Sequence, residues 1–122
     1  MNNFSDGTAC KPLGAALVVE DNPIIALDTQ TVLEELGFSP VMAVTTLAEG
    51  MELVLSRLFN FVILDLLIGE TSSLDFAATL VTRGTRFVFA SGYGDTSTLP
   101  DEFRNHTILR KPYTKAQIEE LL

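Results

Sequence analysis

The chain alternates short apolar runs with longer stretches in which apolar residues recur every three or four positions. The clearest runs are Ala15 to Val19, Phe61 to Leu64 and Phe87 to Ala90, with weaker ones at Phe38 to Val44 and Thr107 to Leu109. Continuous apolarity over four or five residues, bounded by polar ones, predicts strands buried on both faces. Pro40 interrupts the second run, which puts that strand near a sheet edge. Between the runs the spacing is helical. Asn22-Pro23 offers a capping residue and then proline at the first helical position; Ile25, Thr29, Leu33 and Leu36 form a stripe, and Gly37 supplies a left-handed stop. Thr46-x-x-Glu49 is a capping box ahead of Ala48, Met51, Leu55 and Leu58, which predicts a second helix burying that stripe. Ser72 is expected to cap a third helix carrying Phe76, Ala77, Leu80 and Val81, ended by Arg83-Gly84. Ser91 to Pro100 is rich in loop formers, with only a short, weakly held helix expected near Asp101 to Arg104. Thr114-x-x-Gln117 opens a last helix presenting Ile118, Leu121 and Leu122.

Strands alternating with helices in this way imply βα units and a parallel sheet covered on both faces. The expected class is α/β: a doubly wound, flavodoxin-like (βα)5 sheet of five strands in the order 2-1-3-4-5. Residues 1–13 read as a flexible N-terminal lead-in and residues 14–122 as one folded domain. A length of 122 residues with 47% apolar and 20% charged content suits a single globular unit.

Charge and composition remove several classes of function. A net charge of −8 argues against direct nucleic-acid binding, which rests on basic side chains neutralising phosphates. No apolar run approaches the ~20 residues of a membrane span, and Met1 to Cys10 lacks the order of a signal peptide. A cytoplasmic protein with no membrane partner is therefore expected. Cys10 is alone, so there is no disulfide framework. His106 is the single histidine, which leaves no His/Cys metal constellation, and it reads as a surface or turn residue.

The chemistry lies where polar residues break the strand pattern. Glu20 and Asp21 follow the first strand, Asp65 ends the third, Ser91 ends the fourth and Lys111 follows the fifth. Each is commonplace alone. A parallel sheet gathers all those ends at one edge, in the crevice where open α/β sheets build their sites. Three carboxylates meeting there repel one another and call for a cation, and oxygen donors in a solvated cleft favour Mg²⁺. With Lys111 opposite and Ser91 as a hydrogen-bond donor, the crevice suits a transferring phosphoryl group, for which a carboxylate is a competent nucleophile.

From about Leu13 to Leu122 the chain resembles the receiver domain of two-component response regulators (CheY-like). The resemblance rests on Val18-Val19-Glu20-Asp21-Asn22, Val62-Ile63-Leu64-Asp65, Phe89-Ala90-Ser91-Gly92-Tyr93-Gly94 and Arg110-Lys111-Pro112-Tyr113. The third segment is similar to the Phe-Ala-Thr-Gly-Tyr subgroup, often single-domain proteins, with Ser91 where threonine is usual. The resemblance implies that Asp65 is the phosphoacceptor, served by a sensor histidine kinase or a histidine phosphotransfer protein. It implies Mg²⁺ held by Glu20, Asp21, Asp65 and the backbone carbonyl of Leu67, and Lys111 paired with the phosphoryl group next to a cis Lys111-Pro112 bond. Ser91 then serves as a switch residue that moves toward the phosphoryl oxygen. The expected output is contact with a downstream protein target, by a monomer or weak dimer with no DNA-binding output domain. No enzymatic activity is expected beyond self-phosphotransfer and slow autodephosphorylation.

The chain departs from that pattern in informative places. Ile68-Gly69-Glu70 and Ser72-Ser73 occupy the loop where many receivers carry an apolar-Pro pair and a Gly. Ile108 stands where the aromatic switch residue is usual, so Tyr93 becomes the substitute switch residue. Leu67 neither orients nor activates water and Tyr93 is bulky, which predicts a slow loss of the phosphoryl group. Two other readings compete. A pseudo-receiver that never takes phosphate would be expected to have lost one of Glu20, Asp21, Asp65 or Lys111, all of which are present. An aspartate-nucleophile phosphatase of the haloacid dehalogenase type would have a second Asp where Leu67 stands, and a cap insertion for which the chain has no room.

Overall fold

The computed structural model describes residues 13–69, 71–92, 100, 103 and 106–122. In chain order its elements are β1 (Ala16–Val19), α1 (Pro23–Leu36), β2 (Val41–Val44), α2 (Leu47–Ser56) and β3 (Phe61–Asp65). There follow β4 (Leu67–Ile68), β5 (Thr71–Ser72), α3 (Leu74–Thr82), β6 (Phe87–Ser91), β7 (Ile108–Arg110) and α4 (Lys115–Glu119). Five strands form one sheet in the order β2-β1-β3-β6-β7. Every pairing in it is parallel. This is the expected 2-1-3-4-5 arrangement, since β4 and β5 form a separate two-stranded antiparallel ladder. That small hairpin stands where the sequence predicts a plain loop.

Strand alternation divides the core in two. Leu17, Val19, Val62, Leu64, Phe87 and Phe89 point to one face and pack with Val54 of α2 and Phe76, Ala77 and Leu80 of α3. Ala16, Val18, Phe61, Ile63, Val88, Ala90 and Leu109 point to the other, with Leu33 of α1 and Ile118 of α4. Successive residues of a strand face opposite ways, so strands without a polar face need helices on both sides.

The helix ends follow their sequence signals closely. Asn22 accepts from the backbone N–H groups of Ile24 and Ile25, and Pro23 opens α1. Gly37 closes it at φ 116°, in the left-handed region that glycine enters without strain. Thr114 and Gln117 complete a reciprocal capping box on α4. In α3 the expectation shifts by one residue. Ser73, not Ser72, occupies the cap position, and its buried hydroxyl donates to the Leu66 carbonyl. The Ser72 hydroxyl nonetheless accepts from the Leu74 N–H at 3.2 Å.

The predicted face of α2 is wrong. Leu55 is 59% and Leu58 83% exposed, whereas Gly50 and Val54 are buried and Leu47 and Met51 pack against the core. Two apolar stripes compete on this helix, and the winning one contains Gly50. A Cβ at that position would lie 3.0 Å from the Phe76 ring and 3.1 Å from a Val19 methyl. The missing side chain is what lets α2 lie close to the sheet, and a pattern of apolar residues does not register it. His106 lies in a turn, as one half of its reading has it, its backbone N–H donating to the Phe103 carbonyl at 3.1 Å, but it is only partly exposed. It stacks on Phe87 with centroids 4.7 Å apart and lies 5.8 Å from Phe103, which is buried. Cys10, nearly all of the lead-in, Tyr93 and most of the short helix expected near Asp101 to Arg104 lie outside the described residues.

Filling the glycine contact tests this account of α2. Gly50→Val should destabilise the domain by about 1–3 kcal/mol through overpacking, a loss exceeding any helix-propensity gain. Urea unfolding measures it, and a midpoint at or above that of the parent chain would show that α2 can move aside.

Candidate functional site at the carboxyl edge of the sheet

Glu20, Asp21, Asp65 and Lys111 converge at the C-terminal edge of the sheet, as their positions in the chain require. β1 and β3 are adjacent, with Val19 paired to Leu64, so the residues just beyond them are neighbours. Glu20 is 2% and Asp65 4% exposed, while Asp21 faces solvent. The Lys111 ammonium lies 2.8 Å from Asp65 Oδ2, to which it donates, and 2.8 Å from Glu20 Oε1. Its backbone N–H donates to the Ser91 carbonyl at 2.9 Å, which fixes the chain beyond β7 against β6. The Lys111-Pro112 peptide is cis, as expected.

The carboxylates differ in how they are held. Glu20 Oε2 accepts from the Asn22 N–H at 3.1 Å. Glu20 Oε1 is buried and faces the Lys111 ammonium at 2.8 Å as its ion-pair partner. Asp21 Oδ2 accepts from the Gly69 N–H at 2.8 Å, which ties the turn of the β4–β5 hairpin to the site. Nothing in the sequence pointed to that contact, because it depends on a hairpin that the pattern of residues does not predict. One oxygen from each of Glu20, Asp21 and Asp65 falls within 4.8 Å of the others. Three carboxylates at that separation, two of them buried, can hold a hard divalent cation.

Two further expected participants are Ser91 and Leu67. Ser91 is buried at the end of β6, and its hydroxyl donates to the Gly92 carbonyl at 2.8 Å. Leu67 is 40% exposed and opens the hairpin two residues after Asp65. Tyr93 lies outside the described residues.

The sequence profile of the response regulator receiver domain matches residues 16–122. The chain belongs to that family. Members are signalling modules of two-component systems, which interact with kinases or phosphotransfer proteins and with downstream targets. The fold is similar to the solution structure of SdrG from Sphingomonas melonis Fr1, at 34% identity and TM-score 0.79, over 91% of this chain and 94% of that one. A receiver domain (CheY-like) from Methylobacillus flagellatus gives 27% identity and TM-score 0.77, covering 88% and 94%. The BeF3-activated conformation of SdrG, from Pseudomonas melonis Fr1, gives 31% identity and TM-score 0.73, covering 92% and 95%. No curated relative matches the sequence significantly. Among the described residues of this receiver, no helix is long and apolar enough to cross a membrane.

The electrostatics of the receiver site follow from burial. Loss of water pushes the Asp65 carboxyl up to about 7; the Lys111 hydrogen bond opposes this and the Glu20 charge adds to it. For Lys111, burial pulls downward, but its contacts with Asp65 and Glu20 outweigh it and the ammonium is stabilised above its ordinary value. The Gly69 N–H holds the Asp21 carboxyl below the usual carboxylate range.

A raised carboxyl pKa means that the folded state binds the proton more tightly than the unfolded chain. The stability tied to that proton is complete below about 4 and is lost as pH rises through about 7. Metal-free protein should therefore lose roughly 1–3 kcal/mol of stability between pH 5 and 8, and Asp65→Asn should flatten the slope. Urea midpoints across that range with a chelator present are the check. An equal slope in parent and variant would place the titration elsewhere.

Proposed function

We propose that this receiver accepts a phosphoryl group on Asp65 from a sensor histidine kinase or a histidine phosphotransfer protein, and signals through contacts with a downstream protein. The observation that carries the reading is the Lys111 ammonium lying 2.8 Å from each of two buried carboxylates. An Asp65 oxygen attacks phosphorus, the O–P bond forms as the P–N bond to the donor imidazole breaks, and the electron pair leaves on that nitrogen. Lys111 pairs with the oxygens of the transferring group and stabilises their charge. Glu20, Asp21 and Asp65, with the Leu67 carbonyl, would hold Mg²⁺, which when bound neutralises the phosphoryl oxygens. The three carboxylate oxygens within 4.8 Å of one another support that donor set.

Ser91 has a hydroxyl available for exchange. Trading its bond to the Gly92 carbonyl for one to a phosphoryl oxygen would bias the loop after β6, with Tyr93 as the aromatic part of the switch. The folded receiver would span 14–122 with 1–13 as its lead-in, a division supported by the family match over 16–122. Leu67, apolar and partly exposed beside the site, supports slow autodephosphorylation, since it cannot activate an attacking water.

Intact-mass analysis after incubation with acetyl phosphate tests the reading. One Mg²⁺-dependent phosphoryl increment is expected in the parent chain and none in Asp65→Asn. No increment from acetyl phosphate or from a phosphohistidine donor, together with no local response to Mg²⁺, would make this a pseudo-receiver. The increment should persist for minutes or longer after the donor is removed, and decay within seconds would contradict the role given to Leu67.

A further inference from the structure

Beside Lys111, Thr29 Oγ1 and Tyr113 OH lie 2.8 Å apart and bridge 84 positions of sequence. Thr29 is buried on the inner stripe of α1, between Ala26 and Leu33. Burying a hydroxyl is costly unless it finds a partner. The exposed Thr31 finds its own within α1, at the Leu27 carbonyl. Thr29 reaches instead to another element, the segment between β7 and α4, two residues beyond Lys111. The Tyr113 ring packs against the core cluster on that face of the sheet. Burial raises the phenol pKa, so the ring stays neutral and its OH remains a donor.

A cavity of about 370 Å³ separates α1 from this segment, lined by Ile25, Asp28, Thr29, Lys111, Pro112 and Tyr113. The helix therefore leaves open space beside Lys111. On its β6 side the lysine is held through its backbone N–H and the Ser91 carbonyl. On the α1 side, the hydroxyl pair ties the segment at Tyr113, and the Lys115–Glu35 ion pair at 3.4 Å joins the start of α4 to the same helix.

We propose that the Thr29–Tyr113 hydrogen bond is a positioning device that ties the segment after β7 to α1 and so fixes the Lys111 ammonium between Glu20 and Asp65. Tyr113 touches no reacting atom and acts through Lys111, so it is a positioning residue. The consequence for phosphorylation rate rests on the phosphoacceptor reading; the placement of the ammonium does not.

Three variants separate the tether from plain packing. Tyr113→Phe removes the bond but strands a buried hydroxyl. Thr29→Val combined with Tyr113→Phe removes both polar groups while keeping the shape, which should leave the fold stable. Thr29→Ser keeps a hydroxyl and should restore the parent behaviour. The first readout needs no phosphorylation: acetic anhydride labelling of Lys111 in metal-free protein, scored by peptide mass against the same peptide of the parent chain. Labelling of Lys111 should rise about five- to tenfold in the first two variants, as expected when a protected group opens locally. The second readout is phosphorylation by acetyl phosphate with Mg²⁺. The maximal rate should fall about tenfold with the half-saturating donor concentration unchanged, because a small misplacement costs transition-state contacts more than binding. In a Lys111→Ala background, Tyr113→Phe should cause no further loss.

Unchanged Lys111 labelling in the stable double variant would overturn the proposal, as would a full additional rate loss in the Lys111→Ala background. A parent chain that takes no phosphoryl group would overturn the phosphoacceptor reading alone, and the labelling ratio would still decide the tether.

Discussion

One ammonium group shared by two buried carboxylates sets the terms for the rest of this molecule. Glu20 and Asp65 sit almost wholly out of water at the ends of adjacent strands, and either charge alone would be expensive there. Lys111 offsets that cost while remaining partly exposed, so the cluster is electrostatically tense instead of neutralised. That tension pushes the Asp65 carboxyl above the usual carboxylate range, with loss of water as the largest cause. Asp21 escapes it by facing solvent and by taking a hydrogen bond from Gly69.

Only the topology makes such a cluster possible. β1 and β3 are neighbours because the chain crosses over between them, and β6 and β7 extend the sheet on the far side of β3. Parallel pairing then sends every strand's last residue to the same edge. The two hydrophobic layers hold that edge rigid: strands apolar on both faces cannot shift register by one residue without exchanging their two side-chain sets. Rigidity matters because the site works by geometry, and a lysine on a flexible stem is aimed only as well as the backbone beneath it.

Much of this was legible in the sequence. The strand runs, the α1 and α4 caps and the strand order follow from local patterns that agree with one another. So does the convergence of Glu20, Asp21, Asp65 and Lys111, since each polar residue stands at the end of an apolar run. What escaped the sequence depends on contacts between distant segments. The buried face of α2 was misassigned because Gly50 contributes by lacking a side chain, and its partners Val19 and Phe76 lie on other elements. His106 joined an aromatic cluster whose members come from two stretches of chain, β6 and the turn at Phe103. The Gly69 contact with Asp21 needed a two-residue hairpin, too short to leave a periodic trace. Thr29 looked like one more member of a helical stripe, and its hydroxyl mattered only once Tyr113 was beside it.

Charge counting gives a reason for the order in which the proposed switch operates. With its carboxylates ionised, the cluster of Glu20, Asp21, Asp65 and Lys111 carries two more negative charges than positive ones. A divalent cation would bring it to neutrality, and this is the state in which an incoming phosphoryl group meets least repulsion. Phosphorylation then exchanges the single charge of the Asp65 carboxylate for about −1.5 to −2 on the phosphoryl group. The surplus appears at a place with little water, where hydrogen-bond donors are worth most. Lys111 is already in the site, so a neutral hydrogen-bond donor that can exchange its present partner would meet the remaining demand. In the proposed switch that donor is the Ser91 hydroxyl, bonded here to the carbonyl of the adjacent Gly92. Its movement would be a response to excess charge, and the loop after β6 would follow because Ser91 and Gly92 begin it.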